Sequence, residues 1–210
     1  MNYKECPRSG SGRSLSSVLL AFIVAACAFA VVACSNPEKA KAEHVERGEA
    51  YLKEKKFQEA SLEFRNAVQI DDKLAQAHWG LARAYEGMEQ FSQAFEELRR
   101  TVALDANNLD ARVRLGNYFI LAYQQTKDDK LRDEARKLYE DVLQKDPNHI
   151  EGHILKGSLL FASGKREEAF AAIQRAVELD PQRIESLMSL ALFHRQVNEP
   201  SKAEEVYKRA

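Results

Sequence analysis

Small and large apolar residues follow one another in a pattern that repeats from residue 41 onward. A small residue is followed three positions later by a residue that is usually aromatic. An alanine then precedes a large apolar residue by four positions and a second small residue by seven. The clearest copy places these residues at Ala82, Tyr85, Ala94, Leu98 and Thr101. Apolar residues at such spacings share one face of an α-helix, so each copy predicts two amphipathic helices.

Five copies of the pattern share one register along the chain. Three copies are 34 residues long, the third has 41, and the last is incomplete. A single helix pair cannot bury its apolar face alone, so the copies predict helix pairs that stack on one another. The five spans are 41–74, 75–108, 109–149, 150–183 and 184–210.

The repeat resembles the tetratricopeptide repeat family over residues 41–210, with Pro147 and Pro181 at the repeat ends where the family places proline. The resemblance implies an all-α fold: a right-handed superhelical solenoid of antiparallel helix pairs with a concave and a convex surface. Each repeat would contribute a first helix A and a second helix B. The family's tryptophan at the fourth repeat position is replaced here by His44, His78, Arg112, His153 and Leu187.

The third copy carries seven extra residues between Ile120 and Ala135. This insertion predicts a longer hairpin between the two helices of that repeat. Two interpretations remain open: a tolerated loop insertion, or a loop that contacts a partner, since insertions in repeat proteins commonly lie on one face.

The amino-terminal residues have the features of a bacterial signal peptide over 1–33. Lys4, Arg8 and Arg13 precede the uninterrupted apolar run Val18–Ala33. As a helix, that run measures about 24 Å, which is shorter than the roughly 30 Å hydrocarbon core of a membrane. A cleaved signal peptide is therefore the preferred interpretation, and an uncleaved transmembrane anchor is the alternative.

The apolar run ends in Val-Val-Ala before Cys34, which resembles a bacterial lipobox. The resemblance implies lipid attachment at Cys34, cleavage before it, and a lipidated tether over 34–40. Ser35 after the cysteine favours the periplasmic face of the outer membrane in the lipoproteins that this sequence resembles. Cys27 also fits the lipobox, but cleavage there would leave a second apolar stretch on the mature chain.

Composition narrows the classes of function. The 31 basic residues balance 32 acidic ones, and no uncompensated basic cluster is present, so nucleic acid is not predicted as a partner. All three cysteines lie within the first 34 residues, so the repeats hold no thiolate nucleophile and no cysteine-based metal site. Phosphate-binding glycine loops and nucleophile-elbow motifs are also absent from the sequence. We therefore predict a non-enzymatic protein without a cofactor or a small-molecule substrate.

Two histidines, His149 and His153, are four residues apart, the spacing that places two zinc ligands on one helix face. Their order differs from the zincin motif, because Glu151 follows the first histidine by two residues. His153 also occupies the same repeat position as His44 and His78, so packing of the repeat explains it. We predict no metal site.

A protein-binding groove is implied by the family resemblance at fixed positions of each helix A. The residues at those positions form an apolar stripe with sparse charges, which is typical of protein-binding hot regions and fits an amphipathic helix or an extended peptide. Trp79, the only tryptophan, is predicted to contact the partner rather than the core. The alternative is that the stripe packs against a further helix of the same chain. The predicted groove residues are Val45, Glu49, Leu52, Trp79, Arg83, Glu86, Val113, Asn117, Ile120, Ile154, Ser158, Phe161, Met188, Leu192 and Arg195.

Together these features predict a lipid-anchored scaffold that binds protein or peptide partners in a bacterial envelope process such as assembly or export. The membrane contact would come from the lipidated amino terminus. The alternative is a regulatory repeat segment of a larger envelope enzyme whose catalytic domain follows residue 210. The incomplete last repeat predicts a longer array.

Overall fold

The computed structural model describes residues 36–210, which form ten α-helices and no strand. None of these helices combines the length and the hydropathy that a membrane span requires. The predicted signal peptide and Cys34 lie outside the described residues. The helices are α1 Pro37–Lys53, α2 Phe57–Ile70, α3 Ala75–Gly87, α4 Phe91–Leu104, α5 Leu109–Thr126, α6 Asp129–Lys145, α7 Ile150–Ala162, α8 Arg166–Leu179, α9 Ile184–Gln196 and α10 Pro200–Tyr207.

The helices of the unit 41–210 form a stack in chain order. From α2 onward each helix packs against the next one, and α1 and α2 share one apolar cluster. Among the A helices, α5 also contacts α7, and α7 contacts α9. Connections of two or three residues join the two helices of each pair, which requires antiparallel neighbours. The all-α solenoid of helix pairs that the repeat predicted is confirmed. Residues Pro37–Ala40, predicted as tether, form the first turn of α1.

Close packing between the first two helix pairs requires glycine at two positions that face the same aromatic ring. The ring of Phe64 on α2 is fully buried between α1 and α3. A Cβ atom at Gly48 would lie 2.7 Å from Phe64 Cζ, and a Cβ atom at Gly80 would overlap the same ring. Glycine at both positions therefore allows the aromatic ring to fill the space between the two A helices.

In three of the five repeats, the fourth position of helix A connects the repeat to the turn that precedes it. His78 Nε2 lies 2.9 Å from the Asp72 carbonyl oxygen, and Arg112 Nε donates to the Ala106 carbonyl at 3.1 Å. His153 makes the same contact with a carbonyl six residues earlier, at 2.9 Å. A polar side chain thus satisfies a backbone group at the position where the family that the repeat resembles has tryptophan.

The insertion in the third repeat lengthens two helices, so the expectation of an inserted loop is wrong. Helix α5 has 18 residues where α3 has 13, α6 has 17 where α4 has 14, and only Lys127 and Asp128 lie between α5 and α6. The apolar spacing continues through the insertion, with Tyr123 buried. Asp128 caps α6 by accepting a hydrogen bond from the Lys130 N–H at 2.9 Å. Continued amphipathic spacing and a good cap therefore favour helix over loop.

Candidate protein-binding surface

The fifteen predicted groove residues differ in accessibility. Val45, Leu52, Val113 and Ile120 are 5–9% exposed and belong to the core, because they face the neighbouring helix B. They pack beneath the surface residues and cannot contact a partner in this conformation. The half-buried residues are Glu49, Trp79, Arg83, Glu86, Ile154, Ser158 and Phe161. The exposed residues are Asn117, Met188, Leu192 and Arg195.

Trp79 lies at the centre of a polar ladder that crosses α1, α3 and α5. The guanidinium carbons of Arg83 and Arg114 lie 5.6 Å and 5.4 Å from the centre of its ring. Arg83 donates two hydrogen bonds to Glu49, at 2.9 Å and 3.1 Å, and Arg114 pairs with Glu86. Two carboxylates thus fix two guanidinium groups beside one indole ring. The remainder of the indole packs against the core of α3–α6, so Trp79 is both a packing residue and a surface residue.

Tyr118 extends the ladder along α5. Burial, followed by the nearby Glu86 carboxylate, raises the pKa of Tyr118 to about 12. Its hydroxyl therefore stays protonated at physiological pH and donates to Glu86, which also receives the Arg114 ion pair. Glu86 thus connects the Trp79 ladder to the part of α5 that precedes the insertion.

The carboxyl-terminal half of the predicted groove is more apolar. Ser158 and Phe161 of α7 and Leu192 of α9 line a small cavity of about 110 Å³, together with Gln124 of α5. Phe161 packs edge-to-face on a buried phenylalanine of α9, with ring centres 5.6 Å apart. Met188 is 47% exposed on the same helix. The structure therefore brings three predicted residues together here and separates them from the Trp79 ladder.

A larger groove lies beside the ladder, at the edge of the stack formed by the A–B connections. It measures about 920 Å³ and is lined by α4, α5 and the start of α6. Of the predicted residues, only Glu86 and Asn117 lie on its border. The sequence did contain a signal for it, namely Leu121 at the repeat position where the second repeat has Gly87.

The two histidines of the considered zinc motif have backbone partners. His149 Nδ1 accepts a hydrogen bond from the Gly152 N–H at 3.1 Å and caps α7, while His153 Nε2 contacts the Pro147 carbonyl. Among residues 36–210, no group of three His, Cys, Asp or Glu side chains is arranged to hold a metal ion. Capping and turn contacts account for both side chains.

Comparisons with known proteins agree with the repeat pattern. A family model described as tetratricopeptide repeat matches residues 128–191. The DnaJ homolog subfamily C member 7 homolog of Schizosaccharomyces pombe is 26% identical over 144 residues, which cover 64% of this chain and 30% of that protein. The chain thus spans less than a third of the length of that relative.

Solved structures of low sequence identity share the arrangement of helices. A thermophilic tetratricopeptide repeat protein of Thermus thermophilus matches with a TM-score of 0.69 at 20% identity, over 81% of this chain and 90% of its own. YrrB, described as a tetratricopeptide repeat protein with an unusual peptide-binding site, matches with a TM-score of 0.58 at 17% identity, over 84% of this chain and 91% of its own. These likenesses establish the fold of the helix pairs.

Proposed function

Since the chain belongs to the tetratricopeptide repeat family, whose helix pairs bind proteins and peptides, we propose that it is a scaffold anchored to a bacterial membrane through a lipid on Cys34. Its partner is a protein or peptide of the cell envelope, and the contact lies on the surface around Trp79. The scaffold acts in assembly or export, on the periplasmic face of the outer membrane.

The Trp79 ladder is the observation that carries the binding part of this proposal. Tryptophan and arginine are the residues most enriched at binding hot spots, and here Arg83 and Arg114 are held beside the indole before any partner arrives. Fixing both side chains in advance lowers the entropy that is lost on binding. The peptide-binding site described for YrrB adds support, because the two chains share a fold.

The membrane part of the proposal rests on the sequence. The lipobox at Cys34 follows an apolar run, and the lipid would bring the repeats to the membrane surface. Two or more acyl chains hold a protein stably at a membrane, whereas one chain gives only reversible binding.

The test uses the full chain in the bacterium that encodes it. A photo-reactive benzoylphenylalanine replaces Trp79 in one strain and Leu62, an exposed residue on α2, in a second strain. We expect an envelope protein, identified by mass spectrometry, to cross-link at residue 79 and not at residue 62. Equal cross-linking at both residues, or none at residue 79, would refute the binding surface.

Lipid attachment at Cys34 is tested by a separate measurement on the same membranes. We expect the intact mass of the extracted protein to correspond to a chain that begins at Cys34 plus its acyl groups. A full-length chain without acyl mass would exclude lipidation and leave the transmembrane anchor.

A further inference from the structure

The groove at the edge of α4–α6 is mostly apolar. It measures about 920 Å³, within the usual range for ligand sites. Phe91 is 56% exposed and Leu121 is 55% exposed, although both are large apolar side chains. Neighbouring exposed apolar residues in a concavity commonly mark an interaction site. The apolar lining consists of Phe91, Phe95, Phe119, Leu121, Ala122 and Leu131.

The groove exists because one internal packing contact is not repeated. In the first two repeats, Phe57 at the start of α2 packs over Gly87, where a Cβ atom would overlap the phenylalanine ring. The equivalent residues one repeat later are Phe91 and Leu121. A leucine at this position blocks the place that Phe57 occupies over glycine, so Phe91 stays exposed and a gap opens between α4 and α5.

The insertion adds a wall to this gap. Because α5 continues to Thr126 and α6 begins at Asp129, Gln125 and Leu131 extend beyond the neighbouring connections and line the groove. The lining residues of α5 run from Arg114 to Gln125, which corresponds to about 17 Å, or three helical turns. The groove is therefore long enough for a short helix that lies along α5.

The charges that line the groove favour a basic partner. Glu86 and Glu96 are opposed by Arg114 alone, so the lining carries a net charge of 1 − 2 = −1. Arg114 is already paired with Glu86. The Glu96 side chain is 60% exposed and forms a long ion pair with Arg99, 3.8 Å away on the same helix. An exposed ion pair of this length contributes little, so an incoming Lys or Arg can replace Arg99 as the partner of Glu96.

We propose that this groove binds an amphipathic helix of a protein partner that carries large apolar side chains on one face and Lys or Arg beside them. The apolar face would cover Phe91 and Leu121, and the basic side chains would reach Glu96. This mode is helix-in-groove recognition, with anchors at helical spacing. It rests on the proposed protein-binding function, but it does not need the Trp79 surface.

The experiment uses two synthetic probes and the full-length chain in non-ionic detergent. The basic probe is a leucine–lysine peptide of about 14 residues with leucines at helical spacing, and the acidic probe replaces each lysine with glutamate. A photo-reactive residue at Ser92, on the groove wall, reports only peptide that is close to the groove. We expect saturable cross-linking of the basic probe and at least about ten-fold weaker labelling by the acidic probe.

Leu121→Asp removes an anchor and is matched by Leu62→Asp, a leucine of similar exposure on α2. We expect Leu121→Asp and Phe91→Ala to raise the half-saturating concentration of the basic probe by about ten-fold, and Leu62→Asp to leave it unchanged. Glu96→Lys should weaken the binding of the basic probe and strengthen the binding of the acidic probe. Circular dichroism of each variant establishes that it is folded.

Three results would overturn the groove proposal. They are no saturable labelling by the basic probe, equal labelling by both probes, or an equal rise in the half-saturating concentration of the basic probe for Leu121→Asp and Leu62→Asp. None of these results affects the cross-link expected at residue 79, so the proposed scaffold function and the proposed groove can be refuted independently. A lost cross-link at residue 79 with groove labelling retained would refute only the Trp79 surface.

Discussion

The side chain at the fourth position of helix A shows how one residue can replace a large aromatic packing contact. His78 is 1% exposed, with Nδ1 at 2.5 Å from Glu97 and Nε2 at 2.9 Å from the Asp72 carbonyl. Both ring nitrogens thus face oxygen acceptors, which favours the doubly protonated ring. The hydrogen bond to Glu97 is the largest cause that raises the pKa of His78, while burial and the nearby Arg100 lower it.

The raised pKa of His78 predicts a pH-dependent stability. A pKa that is higher in the folded state than its value of 6.5 in the unfolded chain contributes stability below 6.5, and that stability is lost as the pH rises through the folded value. We expect the free energy of unfolding to fall as the pH rises above 6.5 and through the raised pKa of His78, and to fall less in Glu97→Gln, which cannot stabilise the charged ring. Urea titrations across this range measure the slope.

The control for this prediction is Glu96→Gln, which changes the neighbouring exposed carboxylate without touching His78. It should keep the wild-type slope. Identical slopes for wild type and Glu97→Gln would show that the imidazole does not titrate in this range.

At the scale of the element, helix A is followed in every repeat by a residue with a positive φ. One residue of each A–B connection has a positive φ: Lys55, Glu89, Lys127, Gly164 and Asn198, at 57–80°. After four of these residues the next N–H bonds a carbonyl five positions back, at 2.8–2.9 Å, which is the Schellman arrangement. At Lys127, in the extended repeat, the residue's own N–H bonds Tyr123 instead. Only one of the five residues is glycine.

Glu89→Gly is therefore expected to stabilise the protein. Glu89 has a φ of 59°, which costs a residue with a Cβ atom about 1–2 kcal/mol, and glycine relieves this cost at the expense of about 0.5–1 kcal/mol of unfolded-state entropy. We expect a gain of about 0.5–1 kcal/mol in the free energy of unfolding from denaturant titration. Glu89→Ala keeps the Cβ atom and should bring no such gain. An equal change in both variants would exclude strain at this residue.

The repeat pattern predicted the helix pairs and their order because small and large apolar residues fix which faces meet. Ala82 and Leu98 are buried as their spacing requires. The spacing of apolar residues could not predict the conformation of the connections, since a glutamate such as Glu89 gives no indication in the sequence of a positive φ. The exposure of Phe91 depends on the neighbouring helix that carries Leu121, so a position-by-position alignment did not find the groove. The same alignment placed Val113 on the surface, whereas packing buries it.

Over the whole unit 41–210, the core is divided into four clusters that follow one another along the stack. The first cluster lies in α1–α3 around Phe64, and the last lies in α7–α10 around Leu187. The two clusters between them lie in α3–α6 and α5–α7. Each cluster is shared only by helices that are neighbours along the stack, so stability should approximate a sum of local terms and interfaces.

This division predicts that damage to the core stays local. Phe64 and Leu187 are both 0% exposed, and truncation of such side chains to alanine costs about 2–5 kcal/mol. In hydrogen exchange followed by mass spectrometry, Phe64→Ala should lose protection first in α1–α3 while α8 and α9 keep theirs, and Leu187→Ala should give the opposite order. Each variant is thus the matched control for the other. If both variants lose protection equally along the whole stack, residues 41–210 unfold as one cooperative unit and the nearest-neighbour description does not apply.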